Sequence, residues 1–248
     1  MHIHVENKGK VLFVNKEEIR SYIIHHKSLN PIGKQLSNLN IHDLTEAVSG
    51  FPWVKGTEVY VDNDNVLQVN ITECEPVARV FANNGTNFYL GNDGKALPVN
   101  GNFAIRMPVF TGFPLGAVST QEDSSLLAQM INISQYISKD PFWSAQIAQI
   151  NINANNQFEL IPMVGNALIE IGRGDSIEEK LNNLIIFYRK GLNNVGWGYY
   201  DTLDLRYKGQ VIATRKSVQG SPVVDSIMTE DGYKNADSGI IKNIKAND

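Results

Sequence analysis

The chain predicts an α+β protein in two parts: a small β-α-α-β-β unit, then a larger, mostly antiparallel sheet with helices packed on one side. Three observations carry that prediction. Two short amphipathic segments, each preceded by an asparagine, lead into a pair of alternating strands before residue 76. Beyond Pro76 the pattern turns to strands punctuated by Asn84-Gly85 and Asp93-Gly94, both strong hairpin-turn dipeptides. Two longer helical stripes interrupt those strands and give the second sheet its covering layer.

In the first unit, residues 10–14 read as a short apolar strand. Asn15, with Glu18 three residues later, starts a helix that carries Ile19, Tyr22 and Ile23 at helical spacing and breaks before Asn30-Pro31. Asn40 caps a second helix, with Leu44 and Val48 on one face and Gly50 and Pro52 ending it. A strand over residues 54–61 follows, then the polar turn Asp62-Asn63-Asp64-Asn65. In the next strand Leu67, Val69 and Ile71 alternate with Gln68, Asn70 and Thr72, a pattern with one face buried.

In the second part, Leu126, Met130, Ile133 and Ile137 mark a helix over about 125–138, and Asp140-Pro141 restarts the chain. Alternating strands are expected around 147–152, 158–162 and 167–171. The Gly172–Gly174 turn leads into a helix whose capping box would be Ser176 and Glu179, with Ile177, Leu181, Leu184, Tyr188 and Leu192 on its apolar face and Gly191 at its end. A closing hairpin spans residues 202–207 and 210–215 around Lys208-Gly209. Residues after Ser217 hold no sustained period and are expected to form a polar, flexible tail. The expected divisions are therefore 1–77, 78–216 and 217–248.

Bulk properties exclude several classes. The 248 residues, 42% hydrophobic and 19% charged, are enough for one or two real cores. A net charge of −4 gives no electrostatic basis for nucleic acid, which requires concentrated Lys and Arg. One cysteine, Cys74, excludes an internal disulfide and a multi-cysteine metal site. No stretch approaches the ~20 apolar residues of a membrane-spanning helix.

The residues with chemical potential read as structural. All five histidines lie before residue 43. His25 and His26, as neighbours on a helix, point about 100° apart and cannot share one ion. His2 and His4 read as a frayed or edge segment. Cys74 lies between Glu73 and Glu75, which disfavour a thiolate. Gly172-Arg173-Gly174-Asp175 has no Lys-Ser pair and no third glycine, so it reads as a turn and not as a phosphate loop. Asp201 and Asp204, three apart on one strand, project to opposite faces. Trp53, Trp143 and Trp197 do not cluster in sequence. No catalytic set, metal site or cofactor is expected.

The strand over 210–215 is the remaining candidate. It carries apolar side chains on both faces, and only the tail follows it. A central strand and an edge that accepts a partner strand both fit this pattern. In the second case main-chain bonds would give affinity and side-chain pockets specificity.

The runs FPWVKGTEVYVDNDNVLQVNITECEPVARV, FYLGNDGKALPV, IGRGDSIEEKL and DLRYKGQVIAT, in this order and spacing, resemble the bacterial cell-division family FtsQ/DivIB. The likeness covers nearly the whole ordered chain. It implies a POTRA domain followed by the family's β domain, and a non-enzymatic scaffold that recruits and tethers other division proteins. It implies a protein of the cell inner membrane, single-pass through an N-terminal helix absent from this chain, with this portion in the periplasm. The implied partners are small bitopic proteins of the FtsB/FtsL type at the last strand, and further division proteins at the POTRA domain. Carried over by motif, the partner-binding residues are Arg206, Tyr207, Gln210, Val211, Ile212, Ala213, Thr214 and Arg215. Arg206 would pair a partner carboxylate and Tyr207 would pack against the partner backbone. Some members place an aromatic residue near the strand's end, where this chain has Thr214 and Arg215. A POTRA-containing assembly module of a secretion or outer-membrane system is the alternative reading.

Overall fold

The computed structural model describes residues 1–6, 12–35, 38–99, 105–114, 121–192, 195–215, 224–228 and 242–244, with backbone alone at 121–123, 224–228 and 242–244. The chain divides into two compact units, Met1–Pro76 with Gly91–Ile105, and Val77–Leu90 with Arg106–Asp248.

The first unit runs β1 (His2–Glu6), α1 (Lys16–His25), α2 (Ile41–Ser49), β2 (Val54–Val61) and β3 (Leu67–Glu73). Its sheet has the order β1-β3-β2, with β1 parallel and β2 antiparallel to β3. Parallel pairing needs a long crossover, which α1 and α2 supply. Asn15 accepts hydrogen bonds from Glu17 and Glu18 N–H at 3.0 and 3.3 Å, and Asn40 from His42 and Asp43 N–H at 3.1 and 3.3 Å. Ile19, Ile23, Leu44 and Val48 are buried with Val69 and Ile71 of β3.

The first strand requires a correction. It is formed by residues 2–6, not 10–14; positions 10 and 11 lie outside the described residues, and 12–14 are not strand. The alternation His2-Ile3-His4-Val5-Glu6 is itself a strand pattern, with Ile3 opposite Val69 and Val5 opposite Ile71. Phe13 and Val14 instead give both amides to Glu73 Oε1, while the Phe13 ring stacks on Trp53 at 4.1 Å.

The remaining elements are β4 (Pro76–Ala82), β5 (Asn87–Gly91), β6 (Ala96–Leu97), β7 (Val109–Phe113), α3 (Gln121–Lys139), α4 (Pro141–Gln146), β8 (Ile147–Ile152), β9 (Phe158–Pro162), β10 (Leu168–Gly172), α5 (Ile177–Phe187), β11 (Tyr200–Asp204), β12 (Gln210–Arg215), β13 (Val224–Met228) and β14 (Lys242–Ile244). They form a mixed, mostly antiparallel sheet in the order β14-β13-β12-β11-β10-β9-β8-β7-β4-β5-β6. The parallel joins are β4 to β7, β7 to β8 and β10 to β11. Leu126, Met130, Ile133 and Ile137 of α3 and Ile177, Leu181, Leu184 and Phe187 of α5 share one core with Phe110, Ile150, Phe158, Ile169, Leu203 and Val211. Each such side chain contributes about 1.5–3 kcal/mol by leaving water.

Two expectations about the C-terminal third fail. Ser176 does not build a capping box: it has φ 50, ψ 33 and makes no side-chain cap bond. Its left-handed backbone turns the hydroxyl away from the helix amides, and Asn132 and Gln129 of α3 hold the preceding Gly174 instead. Nor does α5 end at Gly191; it winds into a π-turn over Tyr188–Leu192 that buries Tyr188 and Leu192.

The tail is also not wholly irregular. Val224–Met228 pairs antiparallel with β12, and Lys242–Ile244 pairs with Val224–Met228 in turn. Hydrophobic period was too short a signal there, because five residues that pair through main chain need no amphipathic stripe. Residues 210–215 are therefore not the last strand, and of the two readings the sequence left open for them the structure has the flanked one, with a neighbour on each side.

Candidate partner-binding strand

β12 is fixed to the unit from within. Val211 and Ala213 are fully buried, while Gln210, Ile212, Thr214 and Arg215 are half-buried. The register with β11 sets Asp204 opposite Ile212, Leu203 opposite Ala213 and Thr202 opposite Thr214. Gln210 N–H donates back across the turn to the Tyr207 carbonyl, and Leu205 N–H donates outward from β11 to Glu170. Because main-chain groups alternate along a strand, the amides of Gln210, Ile212 and Thr214 face β11. Those of Val211 and Ala213 face the opposite flank. That flank is occupied by β13, with Val211 opposite Ile227, Ile212 opposite Ser226 and Ala213 opposite Asp225.

At the turn before β12, Arg206 closes a charge cluster. Its Nε and Nη2 reach Asp204 Oδ1 and Oδ2 at 2.9 and 2.6 Å, its own N–H donates to Oδ1 at 2.9 Å, and Nη2 lies 2.8 Å from Glu170 Oε2. The parallel β10–β11 register places Glu170 directly opposite Asp204, so the two carboxylates need a shared cation. The bidentate bond to Asp204 holds the guanidinium protonated beyond its already high ordinary value. This corrects the role expected for Arg206. Its fork is committed within the chain, and the triad is net negative, so a partner carboxylate finds no vacant cation there.

The Arg206 stem rests against Gly172, which has φ +64; a Cβ at that position would lie 2.9 Å from Arg206 Cγ. Tyr207 is 51% exposed. Together with Lys208 and Gly209 these residues wall a depression of about 380 Å³ whose opposite side is Arg173, Asp175, Ser176 and Glu179. Lys180 in this depression bonds the Arg173 carbonyl at 2.8 Å and lies 3.6 Å from Asp175. Among the described residues, Arg173 and Lys208 have no carboxylate within 4 Å. Sequence reasoning treated Gly172-Arg173-Gly174-Asp175 only as a turn. The signal for its place beside Arg206 is the β10–β11 crossover, which only the fold reveals.

At the other end of β12, Arg215 lies over the Tyr199 ring at 5.2 Å. The aromatic side chain at this end therefore comes from the residue before β11. Trp143 and Trp197, distant in sequence, flank Tyr188 at 6.1 and 4.8 Å, and burial raises the Tyr188 phenol pKa so that it stays neutral. Cys74 is buried, which raises its thiol pKa, and it reads as a core residue. Among the described residues no cluster of three His, Cys, Asp or Glu could hold a metal, and no helix is long and apolar enough to cross a membrane.

A βααββ unit joined to a sheet of this order, with helices α3 and α5 on its core, defines a two-domain protein of POTRA-plus-sheet architecture. Residues 1–72 match the family model of a POTRA-like domain, and residues 75–214 match that described as FtsQ/DivIB, C-terminal related. The chain belongs to the FtsQ/DivIB family. It is 24% identical over 183 residues to the cell division protein FtsQ of Salinibacter ruber, covering 71% of this chain and 70% of that one. It is 23% identical over 187 residues to the cell division protein FtsQ of Geotalea daltonii, covering 74% of this chain and 66% of that one. Its role is in cell division.

Proposed function

We propose that the protein is a non-enzymatic scaffold of the division machinery that holds a partner polypeptide along the outer main-chain groups of β12. The observation that carries this reading is the two-sided character of the strand. Val211 and Ala213 lock into the core through their side chains, while their amides and carbonyls face away from β11. A partner strand matched to those groups would take the place that β13 holds there, gaining affinity from main-chain bonds on a strand already anchored in the core. Specificity would come from both ends. Arg173 and Lys208 would receive an acidic partner segment in the depression beside Tyr207, and Tyr199 under Arg215 would offer an aromatic surface.

The partners that fit are small bitopic coiled-coil division proteins of the FtsB/FtsL type. Residues 1–77 form a POTRA domain that recruits further division proteins, and residues 78–216 form the partner-binding β domain. In this reading the described portion stands in the periplasm, tethered to the inner membrane by a single helix.

A photo-cross-linking amino acid placed at Ile212 or Tyr207, and at Tyr60 as a control, tests this in dividing cells. Capture of a small single-pass division protein from the first two positions, and not from Tyr60, is the expected result. Absence of any such adduct at Ile212 and Tyr207, in a chain that still supports division, would exclude β12 as the docking line.

A further inference from the structure

We infer that β13 is a resident, displaceable ligand of β12, so that the protein's own tail and a partner strand compete for the same main-chain groups; this rests on the proposed use of β12. The register carries the inference. Val211 and Ala213 direct their outer amides and carbonyls at Ile227 and Asp225, the very groups a partner strand would need. Both cannot be satisfied at once, because each main-chain group pairs across one flank only.

The two flanks of β12 are not held alike. Its inner flank continues through β11, with Leu203 and Val211 buried in the core shared with α5. Its outer flank is matched over five residue pairs against four on the inner one, but what backs it is slighter, since β13 has only three pairs to β14. A two-stranded ribbon such as β13–β14 is marginally stable on its own in water. β13 is nevertheless tethered, since residues 216–223 join it to β12. A short tether gives a local concentration of the order of millimolar, so the tail suppresses a weak or dilute strand and yields to a tight or locally concentrated one. The consequence is a threshold. An isolated partner segment is refused, whereas a partner already concentrated at the same site takes the edge and releases the tail. The occupant is a polypeptide strand in either state, and the tail protects the edge from indiscriminate pairing until then.

Two full-length variants test this with a labelled peptide copying residues 222–230 as the probe. Asp225→Pro/Ile227→Pro removes from the tail the two amides that face β12. Ile212→Cys/Ser226→Cys joins the strands at a pair that does not exchange hydrogen bonds, where Cβ atoms are close enough for a disulfide.

The proline variant should bind the peptide at least about tenfold more tightly than the parent chain. In it, Val211 and Ala213 amides should exchange rapidly until peptide is added. The oxidised cysteine variant should refuse the peptide and recover parental binding on reduction. Equal affinity in parent, proline and oxidised chains would overturn the inference. Cross-linking from Tyr207 in cells separates it from the reading beneath it. A partner adduct whose yield rises in the proline variant supports competition. An adduct of equal yield in both chains removes the competition but leaves the docking line. No adduct in either removes the docking line, and the peptide titration still decides whether the tail is displaceable.

Discussion

Arg206 illustrates how one residue's role depends on what the fold has already given it. Its guanidinium bridges Asp204 and Glu170, so its removal leaves two adjacent carboxylates, one of them nearly buried, without a counter-charge. Arg206→Ala should lower stability by about 1–3 kcal/mol in denaturant unfolding. Arg206→Lys should recover only part of this, since an ammonium cannot make the bidentate bond. Gly172→Ala should reach the same cluster indirectly, by driving a Cβ into the Arg206 stem at a backbone angle that L-residues avoid. About 1–3 kcal/mol is expected for the strain alone.

In the first unit, burial raises the pKa of Glu73 above the ordinary carboxylate range despite the Phe13 and Val14 amides it accepts. A carboxyl raised on folding adds stability that is complete below its unfolded value near ~4.3 and is lost as pH climbs through the folded value. Melting of the wild-type chain should therefore weaken from about pH 4 towards neutrality more than that of Glu73→Gln. Parallel pH curves for the two chains would contradict this account of Glu73.

At the scale of elements, caps separate what residue types can reveal from what backbone angles decide. Asn15 and Asn40 precede helical periods and do cap them, so Asn15→Ala or Asn40→Ala should cost about 1 kcal/mol. Ser176 precedes an equally clear period, yet its left-handed backbone takes its hydroxyl out of reach. Ser176→Ala should therefore lack the cap penalty, and Ser176→Gly should raise the unfolding midpoint by relieving the angle. A loss of 1 kcal/mol or more in Ser176→Gly would show that the serine is needed after all.

The same divide explains the rest of the elements. The apolar stripes of α1, α2, α3 and α5 and the alternation of β3 were legible because burial imposes a period on side chains. β13 was not, since it joins through backbone and its five residues carry no period. β1 was missed in favour of residues 10–14 because His2 and His4 disguise a strand alternation. Arg206, Tyr207 and residues 210–215 could be selected by motif. The Glu170–Asp204–Arg206 triad and the nearness of Arg173 required the parallel β10–β11 register, a long-range pairing that no local pattern encodes.

Across the whole molecule, the family membership and the POTRA-like unit converge on a protein of cell division, and the strand proposed to dock its partner lies between β11 on one flank and β13 on the other. The depression beside Tyr207, the committed Arg206 and the tail strand all lie along this strand or at its ends. Amide exchange at Val211 and Ala213 tests that arrangement most directly, measured on the Asp225→Pro/Ile227→Pro chain alone and in the complex captured with its division partner. Fast exchange in the free variant and strong protection in the complex are the results expected of a partner strand on β12. Fast exchange at both amides in the complex as well would mean that the partner is held elsewhere.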